Sequence, residues 1–119
     1  MTNTVVLMGN LVTDPDIRVT HSDKTVASFR VANNRRYGDN EKSVFVDCTA
    51  FGATGDFVAD YMKKGSRVVV TGHLEMNEWD DKDGNHRQKL QIICERVDFS
   101  GSKPEQKEDK KPSRSNRRR

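Results

Sequence analysis

Cysteine and proline are scarce in this 119-residue chain, at two and three residues, and only eight side chains are aromatic. Two cysteines cannot build the disulfide framework of a small secreted fold. Both Cys48 and Cys94 fall at apolar positions of alternating segments, as reduced core thiols do, so a reducing compartment is expected. No stretch approaches the roughly 20 apolar residues of a membrane-spanning helix. The opening Met-Thr-Asn-Thr lacks the basic flank and cleavage site of a secretory leader, so the expected location is cytoplasmic, with no membrane partner. Hydrophobic residues make up 33% of the chain and charged residues an equal 33%, which allows one modest core under a large polar surface and disfavours a deep enzyme pocket.

Catalytic and metal-binding patterns are also missing. Asp80-Asp81-Lys82-Asp83-Gly84 superficially resembles a calcium loop, but placing Gly84 at the invariant glycine puts Trp79 at the first ligand position and Leu90 at the last. His21, His73 and His86 stand at no metal-ligand spacing, and neither cysteine has a ligand-like neighbour. There is no phosphate-cradling glycine loop and no nucleophile elbow. Adjacent acids sit among turn formers, where a solvated surface accounts for them. Neither catalysis nor a cofactor is expected.

The most informative stretch is Val44 to Phe51. Its alternation puts Val44, Val46, Cys48 and Ala50 on one strand face, suited to a core, and Phe45, Asp47, Thr49 and Phe51 on the other. Two rings on an otherwise polar sheet face suit stacking against nucleobases, and burial under another element or a partner subunit is the alternative.

Around it the chain reads as strands. Thr4 to Leu11 is apolar, with Gly9 suggesting a close backbone approach. A turn at Asp14-Pro15 precedes a strand from about Lys24 to Asn33, whose Ala27, Phe29 and Val31 oppose Ser28, Arg30 and Ala32. Asn34 to Lys42 is dense in turn formers and reads as a mobile loop carrying Arg35, Arg36 and Tyr37. That triplet suits phosphate neutralisation beside base stacking, or an ordinary solvated turn. After Phe51, Asp56 is expected to cap a short helix in which Phe57, Val58, Tyr61 and Met62 share a side, with Phe57 and Tyr61 filling the core. Lys63-Lys64-Gly65 should end it. Arg67 to Met76 alternates cleanly, with Val68, Val70, Gly72, Leu74 and Met76 on its apolar side, and a hairpin turning at Asp83-Gly84 leads back through Arg87 to Phe99. Trp79, among Asn, Glu and Asp, is expected to be exposed.

Strand, strand, strand, short helix, strand, strand is the order of an OB barrel, an all-β fold of five strands with the helix between strands 3 and 4. The chain also resembles bacterial-type single-stranded DNA-binding proteins, cellular or phage-encoded. The matching blocks are Val6-Leu7-Met8-Gly9-Asn10-Leu11 with Asp14-Pro15, Phe29-Arg30-Val31-Ala32 leading to Arg35-Arg36-Tyr37, Tyr61-Met62-Lys63-Lys64-Gly65-Ser66, and Gly72-His73-Leu74 leading to Trp79 and Gly84. Their order and spacing over Met1 to Phe99 make the set specific.

The resemblance implies a non-catalytic coat of single-stranded DNA in replication, recombination or repair, assembled as a homotetramer, with a dimer as the smaller possibility. It also implies stacking by Tyr37, Phe45, Phe51 and Trp79, with Arg35, Arg36 and Arg87 near the DNA backbone. Arg30 joins the same polar face by alternation. The rival is an OB-type protein-interaction subunit of a primosome-like assembly, in which the aromatic face is an interface.

Residues 1–100 are expected to form this domain and residues 101–119 a disordered tail. From Gly101 onward there are eight Lys or Arg and three acids, a net +5, which leaves 13 bases and 15 acids, a net −2, before it. The domain must therefore attract a polyanion by local placement of its cations. The tail ends Arg117-Arg118-Arg119 where the family carries an acidic tip, so it reads as an auxiliary phosphate contact, or as a solvated segment that keeps the protein soluble. Recruitment of replication or repair proteins through an acidic tip is not implied.

Overall fold

The structure, a computed structural model, describes residues 1–99, and the readings of the tail lie outside the described residues. In chain order the elements are β1 (Val5–Leu11), β2 (Asp16–Val19), β3 (Thr25–Tyr37), β4 (Asn40–Phe51), α1 (Gly52–Tyr61), β5 (Arg67–Asp80) and β6 (His86–Phe99). The sheet runs β1-β5-β6-β4-β3-β2, and an additional β1–β3 pairing closes five of the strands into a barrel. All pairings are antiparallel except β4 with β6. The helix follows the third barrel strand, as expected. The short β2, which pairs with β3 outside the barrel, was not anticipated because none of its four residues is buried and it has no apolar period.

Alternation builds the core. Phe29 and Val31 of β3, Cys48 and Ala50 of β4, Val68 and Val70 of β5, and Ile92 and Cys94 of β6 all point into one interior. Both cysteines are free and buried. Closure depends on β1, which pairs with β5 from Val5 to Asn10 and switches to β3 at Asn10 and Leu11. Gly9 sits at that switch, where a Cβ would collide with the Ala32 carbonyl. A register shift falls between Thr71 and Gly72 in the β5–β6 ladder, and a Cβ at Gly72 would strike the Ile93 carbonyl.

The helix starts earlier than expected. Gly52, at φ 61°, turns the chain directly from β4 into α1, so Asp56 lies inside the helix and accepts a hydrogen bond from the Thr25 hydroxyl instead of capping. Gly55 and Val58, with Met62 just past the helix, face the barrel. Phe57 is half-buried, and its ring centroid lies 6.1 Å from that of Phe99. Tyr61 does not fill the core: its ring packs 5.0 Å from Phe57 on the outer side and stays exposed. The helix lies across the barrel with one narrow side inward, too narrow for both rings.

Residues 34–42 are not a loop. The β3–β4 ladder continues to Tyr37↔Asn40, leaving Gly38 and Asp39 as the turn, with Gly38 at φ 59°. Polar cross-strand pairs such as Ser43 Oγ donating to Asn34 Oδ1 at 2.6 Å replace the apolar signal. A two-stranded ribbon beyond the barrel has no buried face, so no period-2 pattern marks it. For the same reason Val44, Leu74 and Met76, expected on the core face, are exposed.

Because the barrel has no room beside Gly72, Gly72→Ala is expected to cost about 1–3 kcal/mol in urea unfolding. An unchanged midpoint would show that the ladder there can shift freely.

His73 sits between two carboxylates, with Nε2 2.8 Å from Glu75 and Nδ1 2.9 Å from Glu95. Glu75 first, then Glu95, raise its pKa. A raised folded-state value means the protonated ring stabilises the fold below the ordinary value of about 6.5, and this contribution is lost as pH rises through the raised value. The stability gap between wild type and His73→Gln should thus be widest at the acidic end of a scan from roughly pH 5.5 to 8.5 and close with rising pH. A gap independent of pH would contradict the charged clamp.

Candidate nucleic-acid interface

Strand alternation places the outward side chains of β5, β6, β4 and β3 on one continuous face. Phe45, Asp47, Thr49 and Phe51 project from β4, and Arg30 of β3 stands opposite Asp47. In β6, Gln91 is the partner of Asp47, which puts Lys89 and Arg87 on the same alternation further along the strand. Across the β5–β6 ladder, Asn77 pairs with Lys89 and Trp79 with Arg87. The rings are open to solvent: Phe45 is 58% exposed, Phe51 45%, Trp79 44% and Tyr37 54%. Among the described residues no element covers Phe45 or Phe51.

Five of the eight residues singled out from sequence therefore share a face: Arg30, Phe45, Phe51, Trp79 and Arg87. Arg36 has their alternation, farther out on the β3–β4 ribbon. Arg35 and Tyr37 fall on the opposite alternation, the side that carries Phe29 and Val31 inside the barrel. The ribbon thus offers cations and a ring on both of its sides.

The cations of the face are partly committed. One Asp47 oxygen lies 2.8 Å from Arg30 Nε and the other 2.7 Å from Lys89 Nζ. Partial burial pushes the Asp47 carboxyl up, but the hydrogen bonds from Arg30 and Lys89 outweigh it and hold it below the usual carboxylate range. Arg87 Nε donates to Asp81 Oδ2 at 2.8 Å, and Asp81 also accepts from the backbone N–H groups of Asp83 and Asn85 in the β5–β6 turn. The same acid that shapes the turn therefore orients Arg87.

A groove of about 590 Å³ opens on this face between Phe51, Asn77 and Gln91 on one side and Arg18 and His21 on the other. A second groove, sharing Ser28, Thr49, Asn77 and Gln91, carries it on to Arg30 and Asp47. Sequence reasoning missed Arg18, His21, Asn77, Lys89 and Gln91. The last three could have been found by extending the alternation from Trp79 and Arg87. Arg18 and His21 could not, because their hairpin has no sequence signal.

Comparison with known proteins gives one consistent answer. The Single-strand binding protein family matches residues 2–100. Proteins named single-stranded DNA-binding protein are similar over most of the chain. That of Wolinella succinogenes is 34% identical over 108 residues, covering 87% of this chain and 67% of its own. That of Clostridium perfringens is 37% identical over 101 residues, covering 84% and 67%. That of Borreliella burgdorferi is 35% identical over 114 residues, covering 90% and 76%.

If Phe45 and Phe51 belong to a surface and not to the core, Phe45→Ala and Phe51→Ala should each cost less than about 1 kcal/mol in chemical unfolding. Phe29→Ala, inside the barrel, should cost about 3–5 kcal/mol. Equal losses at Phe29 and Phe51 would make Phe51 a core residue.

Proposed function

This chain belongs to the single-strand binding protein family, a binder of single-stranded DNA and not an enzyme, and we propose that it carries the strand across the outward face of β3, β4, β5 and β6. The observation that supports this path is the placement of three exposed rings, Phe45, Phe51 and Trp79, on one face with Arg30 and Arg87. Stacking on such rings contributes about 1–3 kcal/mol per base and reads the ring face, which every base has. The cations meet phosphates, which carry no sequence. Binding is therefore tolerant of sequence, selective for unpaired strands whose bases are free to stack, and weakened by salt.

Arg36 on the outer alternation, and Arg35 and Tyr37 on the other, extend the path onto the β3–β4 ribbon. The work is coating of exposed strands in replication, recombination or repair, in the cytoplasm at the nucleoid. Among the described residues no helix is long and apolar enough to cross a membrane. The protein acts as a homo-oligomer, a tetramer by the family's pattern. The exposed apolar side chains of Val6 and Met8 on β1, 66% and 51% exposed, support coverage of that strand by a second copy. The tail after the barrel adds phosphate contacts.

Titration of Trp79 fluorescence with oligo(dT) tests the path, because stacking quenches an indole that a protein-only interface would leave unchanged. Quenching by single strands, weaker binding to duplex of equal length, and an affinity loss of about 1–3 kcal/mol for Phe45→Ala or Phe51→Ala are expected. Equal affinity for duplex, or an unquenched Trp79, would remove the proposed face.

A further inference from the structure

At the centre of the face stands an acid where a polyanion is to pass. Asp47 lies on β4 two residues from Phe45 and four from Phe51, on the same alternation, so a strand stacked on both rings crosses it. Each of its oxygens is taken by one cation, Arg30 Nε at 2.8 Å and Lys89 Nζ at 2.7 Å, from the strands on either side. The arrangement is the one a phosphate would adopt between the same two side chains.

We propose that Asp47 is a built-in phosphate surrogate that competes with DNA for Arg30 and Lys89, and so limits both the affinity of the face and its residence time on the strand. This rests on the DNA path given above and adds what regulates it. The three side chains together carry +1, so the centre of the face neutralises about one backbone charge where its two cations alone would neutralise two. The carboxyl is held below its ordinary range, because its two donors outweigh its partial burial. It is also displaceable. Side-chain exposures of 46% for Arg30, 45% for Lys89 and 33% for Asp47 leave the pairs in contact with water, where ion pairs are weak and a phosphate can take over a cation. The site is on the barrel's outside, where the backbone already satisfies strand pairing and the two ion pairs add a cross-strand tie of β4 to β3 and β6. A coat protein that must later be stripped or moved gains from cations that are returned to an internal partner when the strand leaves.

The test uses the full chain and Trp79 quenching by oligo(dT) across a salt series. Asp47→Asn keeps the shape and removes the charge. It should bind about three- to tenfold tighter at low salt, chiefly through slower dissociation. Its slope of log affinity against log salt should steepen by about 0.7, the contribution of one further neutralised phosphate on a single strand. Lys89→Gln should flatten that slope by about 0.7 in the wild-type and in the Asp47→Asn background alike, because the net charge of the cluster falls by one in each. Lys89 is exposed, so the single Lys89→Gln variant stays informative even if Asp47→Asn fails to fold. Asp47→Asn binding no tighter with an unchanged slope overturns the proposal, as does an unchanged slope for Lys89→Gln alone, which would mean that the strand does not take over Lys89. A wild-type chain that oligo(dT) does not quench removes the DNA path itself, a result distinct from either of these.

Discussion

Everything else in the structure depends on β1 making two pairings. A sheet of these strands left open would expose the backbone of β1 to association and leave its inner face only partly covered. By pairing with β5 along most of its length and with β3 at Asn10 and Leu11, β1 turns the sheet back on itself. The step requires two backbones to approach at Gly9, where no side chain fits. Once closed, a barrel this small has an interior occupied by its own core side chains. Binding is left to the outside. The alternation that directs Cys48 and Ala50 inward is what directs Phe45, Asp47 and Phe51 outward.

Where β3–β4 and β5–β6 run past the barrel they become ribbons with no core to serve. Their stability rests on cross-strand polar pairs and turns, such as Asn34 with Ser43 and Asp81 with the backbone of Asp83 and Asn85. Freed from the core, these segments carry exposed rings and cations at little cost to the fold. Trp79 and Tyr37 both sit there. Exposed rings and cations thus stand where packing constraints are weakest.

The electrostatics of the described part are unusual for a partner of DNA. Acids outnumber bases in the first hundred residues, and Arg30, Lys89, Arg87 and Arg96 are each held by an aspartate. Arg35 and Arg36, among the described residues, have no acidic partner within salt-bridge distance. A polyanion would therefore be attracted by where single cations stand and not by the domain's net charge.

Periodicity carried most of the fold. Residues whose two faces meet different environments announce it, so Ala27, Phe29 and Val31, Val68 and Val70, and the two faces of Val44 to Phe51 could be read from the chain alone, as could the order of barrel strands and helix. The exposure of Trp79 followed from its polar neighbours. Periodicity failed wherever both faces of a strand meet water: the ribbon at residues 34–42 read as a loop, β2 was invisible, and Val44, Leu74 and Met76 were assigned to a core that ends before them. Tyr61 failed for a different reason, since helical spacing shows which residues share a side but not how wide a side the barrel can receive. What only the tertiary structure decided is adjacency. Arg30, Asp47 and Lys89 are far apart in the chain and carry no shared motif, and their meeting is set by the registers of β3 on β4 and β4 on β6. A local pattern records the environment of each residue, whereas register is a relation between strands, set here by the Gly38-Asp39 turn for β3 on β4 and by the parallel pairing of β4 with β6.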